Sequence, residues 1–270
     1  MKFSILIAHY NNWNYFKECY QSLINQTYQN FEIIIVDDCS TDDSFSKLSK
    51  LAEEDSKIKL FRNSENKKVG FTKSRCIEEA KGEICGFLDP DDFLNANALS
   101  EVIEIYKSKS DCIATYSKIK LVDSKSNKLG DFKHTKKIKN NKKNFFNINF
   151  EVAHFFTFRR DYYLKTEGIN INLSSAVDQD LYLKLYELGN FYFINSDQYI
   201  YRLHKNGVSQ DKAKKEKLKE NWNQVILDTC KRRNIKNLYG IDILSISNLA
   251  GFIYKKENTI FVKIKRKLGW

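Results

Sequence analysis

The stretch FEIIIVDDCSTDDS, residues Phe31–Ser44, joins a short apolar segment to a cluster of acids. Its first six residues are mostly β-branched or aromatic, which is typical of a strand buried in a sheet. Phe3–Ala8, with the sequence FSILIA, is a second segment of this kind, and apolar side chains at helical spacing lie between the two. The order strand, helix, strand predicts a parallel sheet with helices on both faces.

The alternation continues along the first half of the chain, and the pattern changes after Ser110. The further elements that we expect there are helices at Phe45–Ala52, Thr72–Ala80 and Ala98–Tyr106, and strands at Ile58–Phe61, Ile84–Leu88 and Cys112–Ser117. In the second half we expect a hydrophilic, flexible flap at Lys133–Lys143, a helix at Leu181–Tyr186 and an extended exit from the domain at Tyr199–His204.

Polar segments directly follow three of the predicted strands: AHYNN at 8–12, DDCSTDD at 37–43 and DPDD at 89–92. In open α/β sheets, ligands bind beyond the carboxyl ends of the strands. The three segments therefore predict one binding site at that edge of the sheet.

The segment DPDD supports more than one interpretation. A turn that merely tolerates acids is the simplest. A calcium loop is excluded, because Phe93 stands where an oxygen ligand is needed; the same residue departs from the strand-end pattern of haloacid-dehalogenase phosphatases. A hard divalent cation shared between carboxylates and substrate phosphates fits the spacing, since Pro90 stiffens the turn and Asp89 and Asp91 alternate along it.

Asp37 and Asp38 also follow a strand, where carboxylates can accept hydrogen bonds from a nucleotide base or a ribose. The sequence contains neither the G-x-G-x-x-G nor the Walker A pattern. Phosphates must therefore be bound by a metal and by cationic side chains rather than by a glycine-rich loop.

Composition limits the class of protein. With 42% apolar residues among 270, the chain can bury a large core. The six cysteines form no C-x-x-C pair, so we expect buried free thiols in a reducing cytoplasm. The apolar run near the N-terminus is too short for a signal peptide, and no apolar stretch has the length of a membrane span.

Positive charge is concentrated in the C-terminal part. Residues 211–270 contain 15 Lys and Arg but 6 Asp and Glu, and they hold most of the net charge of +11. We place a domain boundary near residue 210 and expect two or three helices beyond it, with an apolar face that contains Leu218, Trp222, Val225 and Ile226. Lys255–Trp270 mixes apolar and basic residues, which favours either an anionic membrane surface or a helical cap with a solvated basic face.

Five segments together resemble one known family: SILIAHYNN, SLINQTYQNFEIIIVDDCSTDDS, VGFTKSRCIEEAKGEICGFLDPDD, AVDQDLYLKLYELG and YRLHKNGVS. Their order and spacing are similar to those of family 2 of the inverting nucleotide-sugar glycosyltransferases, over roughly residues 3–210. The resemblance implies a GT-A fold, which is an α/β fold with a mixed, mainly parallel sheet flanked by helices. Residues 211–270 are then a C-terminal helical extension.

The resemblance also implies roles for individual residues. Ala8, Tyr10 and Asp38 lie at positions that bind the nucleotide base, with Asp38 as the partner of a pyrimidine nitrogen. Asp89 resembles the acid that meets the ribose or the metal, and Asp91 the direct metal ligand. Ala8 departs from the family pattern, in which a hydroxyl side chain is frequent.

Further positions are implied in the same way. Asp92 resembles an outer-shell or capping acid. Arg75 resembles a cation near the nucleotide, and a surface arginine is the alternative. His204 resembles a histidine that reaches the diphosphate or the metal, and an exposed loop histidine is the alternative. Asp178 matches the general base, although Val177 replaces a frequent Glu before it, and Asp180 matches a residue that supports the helix start or the acceptor.

The function that the resemblance implies is metal-dependent, inverting transfer of a sugar, with Mn2+ or Mg2+ as cofactor. The expected donor is a nucleoside-diphosphate sugar, with UDP as the expected nucleotide. The expected acceptor is a glycan or a lipid-linked glycan, in the synthesis of a bacterial surface polysaccharide or lipid-linked glycan, and no nucleic acid is expected as a partner. The expected location of the protein is the cytoplasm, with the inner face of the cell membrane as an alternative. Two alternatives stay open: a sugar nucleotidyltransferase and a non-catalytic module that binds a nucleotide sugar.

Overall fold

The computed structural model describes residues 1–204 and 215–259. Its strands are β1 Phe3–His9, β2 Phe31–Asp37, β3 Ile58–Arg62, β4 Ile84–Phe87, β5 Phe93–Leu94, β6 Cys112–Val122, β7 Lys128–Asp131, β8 Thr157–Arg159, β9 Asn190–Arg202, β10 Asn237–Leu238 and β11 Ile241–Asp242. Its helices are α1 Trp13–Ile24, α2 Ser44–Glu54, α3 Lys68–Glu79, α4 Ala98–Ser108, α5 Arg160–Tyr163, α6 Val177–Tyr186, α7 Lys215–Arg232 and α8 Leu249–Glu257. The predicted boundary near residue 210 lies outside the described residues.

Nine strands form the main sheet, in the order β3-β2-β1-β4-β8-β6-β9-β5, with β7 on the edge of β6. The predicted parallel half is confirmed, because β3, β2, β1 and β4 pair in parallel. The second half is mixed: β8 runs antiparallel to both β4 and β6, while β6 and β9 form a long parallel pair. Parallel register brings the carboxyl ends of β1, β2 and β4 to one edge, as the polar segments predicted.

Two hydrophobic cores cover the faces of the sheet. Alternate residues of β1 point to opposite faces, so Ile5 packs on the face of α1 and α4, and Leu6 on the face of α3 and α6. The core on the α3 face also includes Val225 and Ile226 of α7. Trp222 also packs against this core, while Leu218, on the expected apolar face, is 37% exposed.

The expectation of a flexible flap at Lys133–Lys143 is wrong. The buried hydroxyl of Tyr116 donates to the carbonyl of Lys136 at 2.8 Å and accepts from the amide of Ile138 at 3.0 Å. The amide side chain of Asn140 pairs with the backbone of Phe191 in both directions. Side chains of the sheet thus hold this polar segment, which composition alone does not indicate.

The expected extended segment at Tyr199–His204 is confirmed up to Arg202, but these residues lie within the sheet and not at an exit from the domain. Residues up to Arg202 belong to β9, which lies inside the sheet between β6 and β5.

Among the cysteines, all six are free and five are buried, and Cys39 is partly exposed. No helix of residues 1–204 or 215–259 combines the length and the apolar character needed to cross a bilayer.

Candidate active site

The loops after β1 and β2 are joined at the edge of the sheet. The amide of Asp38 donates to the carbonyl of His9 at 2.8 Å, and the amide of Asn11 donates to the hydroxyl of Ser40 at 3.0 Å. Tyr10 is 44% exposed at this edge, while Ala8 beside it is half-buried. The exposed ring of Tyr10 is a surface on which a flat ring can stack.

Asp38 is buried and fixes the start of α3. Its Oδ1 accepts from the side-chain amide of Asn63 and from the backbone amide of Lys67, both at 2.8 Å, and its Oδ2 accepts from the amide of Lys68 at 3.0 Å. A carboxylate that accepts at a helix start satisfies amides that have no partner within the helix. Each oxygen of a carboxylate accepts more than one bond, so Asp38 retains capacity for a ligand.

Arg75 does not contact the acids of the DPDD turn. Its Nη1 donates to the carbonyl of Arg62 at 2.7 Å and to Oδ1 of Asn63 at 2.8 Å. Since Asn63 donates in turn to Asp38, Arg75 acts on the base-binding edge through one intermediate side chain.

The DPDD turn is closed by a hydrogen bond from the amide of Asp92 to the carbonyl of Asp89. Asp92 is buried; it accepts from the hydroxyl of Tyr199 at 2.7 Å and from the amide of Arg202 at 2.8 Å. Burial and the charges of Asp91 and Asp89 raise the pKa of Asp92 well above its ordinary value. The side chain of Asp92 therefore attaches the turn to β9 and does not open toward solvent.

Arg202 connects the turn to two other segments. Its Nε donates to the carbonyl of Asp91, and its Nη1 to the hydroxyl of Ser126, both at 2.8 Å. Its Nη2 bonds Glu18 of α1 at 2.5 Å, and the guanidinium lies over the ring of Tyr15 at 4.9 Å. The side chain is only 1% exposed, so this cation lies in the interior directly behind the acids.

Asp91 and His204 form a pair beside this cation. Nε2 of His204 lies 2.7 Å from Oδ2 of Asp91, and its ring packs against Tyr15 at 4.7 Å. Burial and the charge of Asp89 raise the pKa of Asp91, although His204 acts in the opposite direction. A carboxylate that is costly to ionise in this way is stabilised by an added cation.

The donor set fits a divalent metal that a substrate helps to hold. In residues 1–204 and 215–259, no three His, Cys, Asp or Glu side chains lie together as a complete metal centre. Asp91 and His204 offer one carboxylate oxygen and one imidazole nitrogen. Mg2+ and similar ions often take one or two carboxylates and complete their shell with phosphates and water, and the chemistry of this pair fits such a share.

Lys73 of α3 is the central residue that the sequence did not reveal. Its Nζ lies 2.8 Å from Oδ1 of Asp178 and 3.3 Å from Oδ1 of Asp89, and the side chain is 4% exposed. Burial lowers the pKa of Lys73, but the charges of the two acids outweigh it and raise that pKa overall. A single lysine inside a helical pattern carries no signal of its own, because the contact depends on α6, more than 100 residues away.

Asp178 lies in the first turn of α6, where a negative charge is favourable for the helix dipole. Its side chain is 31% exposed and makes no capping hydrogen bond. Burial raises the pKa of Asp178, but Lys73 and, to a smaller extent, His154 lower it, so that the net shift is downward. Asp178 is thus a charged carboxylate that is open to solvent on one side.

Asp180 has a different environment. It is buried, and its Oδ2 accepts from the amide of Asn170 and from Nζ of Lys184, both at 2.8 Å. Lys184 also donates to the carbonyl of Gly168 at 2.7 Å. These contacts hold the segment before α6 on the helix, which is the supporting role expected for Asp180; contact with an acceptor stays a prediction.

His154 is a second residue that the sequence did not reveal. Its ring stacks on Tyr199 at 4.7 Å, and the charge it carries when protonated acts on Asp178. No pattern in the sequence brings it there, because it precedes β8 in an irregular segment.

Comparison with known proteins identifies the family of the chain. The sequence profile described as "Glycosyl transferase family 2" matches residues 4–166. The chain is similar to the chondroitin synthase of Escherichia coli, with 29% identity over 95% of this chain and 37% of that protein. It is also similar to the hyaluronan synthase of Pasteurella multocida, with 27% identity over 76% of this chain and 21% of that protein. The chain thus spans at most about two fifths of the length of these relatives.

Solved structures confirm the GT-A fold. The structure of S. aureus TarS 1-349 in complex with UDP-GlcNAc superposes with a TM-score of 0.71 at 23% identity, over 84% of this chain and 66% of that one. The mannosyltransferase PcManGT from Pyrobaculum calidifontis, in complex with GDP-Man and Mn2+, gives 0.65 at 14% identity, over 99% and 79% of the two chains.

Replacing Arg202 by Lys should lower both stability and nucleotide affinity. Lysine retains the charge but cannot reach Ser126, Glu18 and the Asp91 carbonyl together, and a hydrogen bond to a charged group contributes about 1.5–3 kcal/mol. We expect the free energy of unfolding to fall by roughly that amount in denaturant titrations, and the affinity for nucleoside diphosphate to fall in calorimetry.

Arg159→Lys is the matched control, because Arg159 also bonds backbone carbonyls, those of Cys112 and Tyr106, away from the site. Arg159→Lys should lower the free energy of unfolding and leave the nucleotide affinity unchanged. Wild-type nucleotide affinity in Arg202→Lys would show that the DPDD turn does not depend on Arg202.

Proposed function

Because the chain belongs to glycosyl transferase family 2, we propose that it transfers a sugar, with inversion, from a UDP-sugar to a hydroxyl group of a glycan or lipid-linked acceptor. The observation that supports this most is the contact of one buried lysine, Lys73, with Asp89 on the donor side and Asp178 on the acceptor side. The names of the relatives, chondroitin and hyaluronan synthases, favour a role in polysaccharide synthesis.

The donor's base is placed at the ends of β1 and β2 in this proposal. It stacks on Tyr10 near Ala8, and a ring nitrogen donates a hydrogen bond to the carboxylate of Asp38, which can accept a further bond. Arg75 stabilises this edge through Asn63. Asp89, whose side chain is 32% exposed, accepts from the ribose.

Asp91 and His204 are the proposed ligands of a divalent metal, Mn2+ or Mg2+. When bound, the metal supplies Lewis-acid stabilisation of the charge that grows on the leaving diphosphate. Asp92 and Arg202 keep the turn in place from behind, so that Asp91 stays directed at the phosphates.

Asp178 is the proposed general base. Lys73 bonds its Oδ1, and among the described residues no side chain or amide bonds its Oδ2. As the acceptor oxygen attacks the anomeric carbon, its proton passes to Oδ2 and the bond to the nucleoside diphosphate breaks on the opposite face. The acid thus needs to be charged before the reaction, as its lowered pKa provides.

Asp178→Asn should reduce sugar transfer by roughly 10²–10⁴-fold, because the amide keeps the shape but cannot accept the proton. The affinity for the donor should hardly change. Initial rates and equilibrium binding with a UDP-sugar measure the two effects separately. Asp180→Asn is the control, and we expect it to affect stability more than rate, since its contacts are to Lys184 and Asn170. The base is misassigned if Asp180→Asn loses turnover and Asp178→Asn retains it.

Asp91→Ala should abolish metal-dependent turnover, while Asp89→Ala should mainly weaken nucleotide binding. We expect this difference because Asp89 and Asp91 alternate along one turn, and because Asp91, unlike Asp89, is paired with His204. Turnover is measured against Mn2+ concentration, and nucleotide affinity by calorimetry. Normal Mn2+ activation in Asp91→Ala, or full wild-type activity in EDTA, would contradict the metal assignment.

We also propose that the extension, residues 211–270, binds anionic membrane surfaces. Exposed apolar side chains accompany its positive charge: Leu244 is 80% exposed, and Tyr239 and Tyr254 are each 53% exposed. Interfacial segments combine such side chains with basic residues. Residues 260–270, which complete the basic segment, lie outside the described part of the chain.

A charge variant of the full chain tests this proposal, because truncation would remove Val225 and Ile226 from the core. The variant replaces six basic residues by Gln: Lys255, Lys256, Lys263, Lys265, Arg266 and Lys267. Each basic residue near an anionic surface contributes about 1 kcal/mol, so sedimentation with phosphatidylserine vesicles should be largely lost. Equal sedimentation by the variant and the wild type would exclude binding through this charge.

A further inference from the structure

Lys73 lies where two sides of the site meet. Its Nζ bonds Asp89 of the DPDD turn and Asp178 of α6, and the same Nζ lies over the ring of Phe87, 5.0 Å from the ring centre. The side chain is almost completely buried, so it cannot swing into solvent without loss of these contacts. α3, which carries it, is fixed at its start by Asp38.

We infer that Lys73 is a positioning residue that fixes Asp178 through Oδ1, directs Oδ2 toward the acceptor, and joins the base to the turn that holds the donor. The inference rests on the proposed function and extends it to a residue without an assigned role. An unpaired carboxylate at the start of a helix has free rotation about its side-chain bonds, and misplacement of a reacting group by about 1 Å can cost on the order of 10²-fold in rate.

The charged and titratable groups around Asp178 determine how its pKa responds to the loss of Lys73. Lys73 faces it from α3, His154 from the segment before β8, and Tyr182 from its own helix, while Asp89 faces it across Lys73. Of these, Lys73 is the cation in hydrogen-bond contact with Asp178. Without it, the carboxylate is exposed to the uncompensated charge of Asp89.

The test compares the wild type with Lys73→Met and Lys73→Arg, using the UDP-sugar that the wild type accepts. Lys73→Met should lower kcat by on the order of 10²-fold with a smaller change in KM. The acidic limb of its kcat profile should move to higher pH, by about one to three units, because the charge that lowers the pKa of Asp178 is removed. Lys73→Arg retains the charge and should keep the limb near its wild-type position.

Lys184→Met is the control for stability, because it removes another buried lysine from a carboxylate at 2.8 Å, on α6. It should lower the melting temperature without moving the acidic limb. The inference is overturned if Lys73→Met retains both the wild-type kcat and the wild-type position of the acidic limb. It is also overturned if Lys184→Met moves the acidic limb as far as Lys73→Met does. Absence of turnover by the wild type with any nucleotide sugar would instead overturn the proposed function.

Discussion

The guanidinium of Arg202 lies behind a turn that places three carboxylates within four residues. Such acids repel one another, and burial makes them more costly to ionise, in agreement with the raised pKa of Asp92. Arg202 is almost fully buried and bonds the turn, α1 and the loop after β6 at once. The turn is therefore held from the interior by a cation that no solvent screens, and its open side faces the proposed donor site.

The same strand supplies both the support and the next functional group. β9 carries Tyr199 and Arg202, which bond Asp92, and two residues later His204 meets Asp91. A displacement of β9 would thus move the support and the proposed metal ligand, His204, together. On the other side, Asp38 fixes the start of α3, so that Lys73 and Arg75 keep their places relative to the base-binding edge. Two rigid elements, β9 and α3, therefore position most of the site.

The parallel half of the fold could be predicted from the sequence, because β1, β2 and β4 are buried on both faces and are read as continuous apolar runs. The acids of the site could be predicted for the same reason, since they follow these runs directly. β9 was only partly predicted: its buried and half-buried positions alternate irregularly, and its residues 190–198 were not assigned. The polar segment 133–143 was misjudged because buried tyrosine hydroxyls hold its backbone, and such contacts leave no trace in composition.

Lys73 and His154 were missed for a different reason. Each acts on Asp178 from another segment of the chain, and although Lys73 lies within one of the family-like segments, no pattern there indicates that it contacts Asp178. Only the packing of α3 against the segment before α6 brings Lys73 to the acid, with the amide of Gly70 donating to the carbonyl of Leu173.

Sugar transfer from a UDP-sugar is best tested by measuring the release of nucleoside diphosphate from a panel of nucleotide sugars, with Mn2+ and without an added acceptor. We expect slow release into water, faster from a UDP-sugar than from GDP-sugars. A folded protein that binds UDP but releases no nucleoside diphosphate from any sugar in the panel would contradict it.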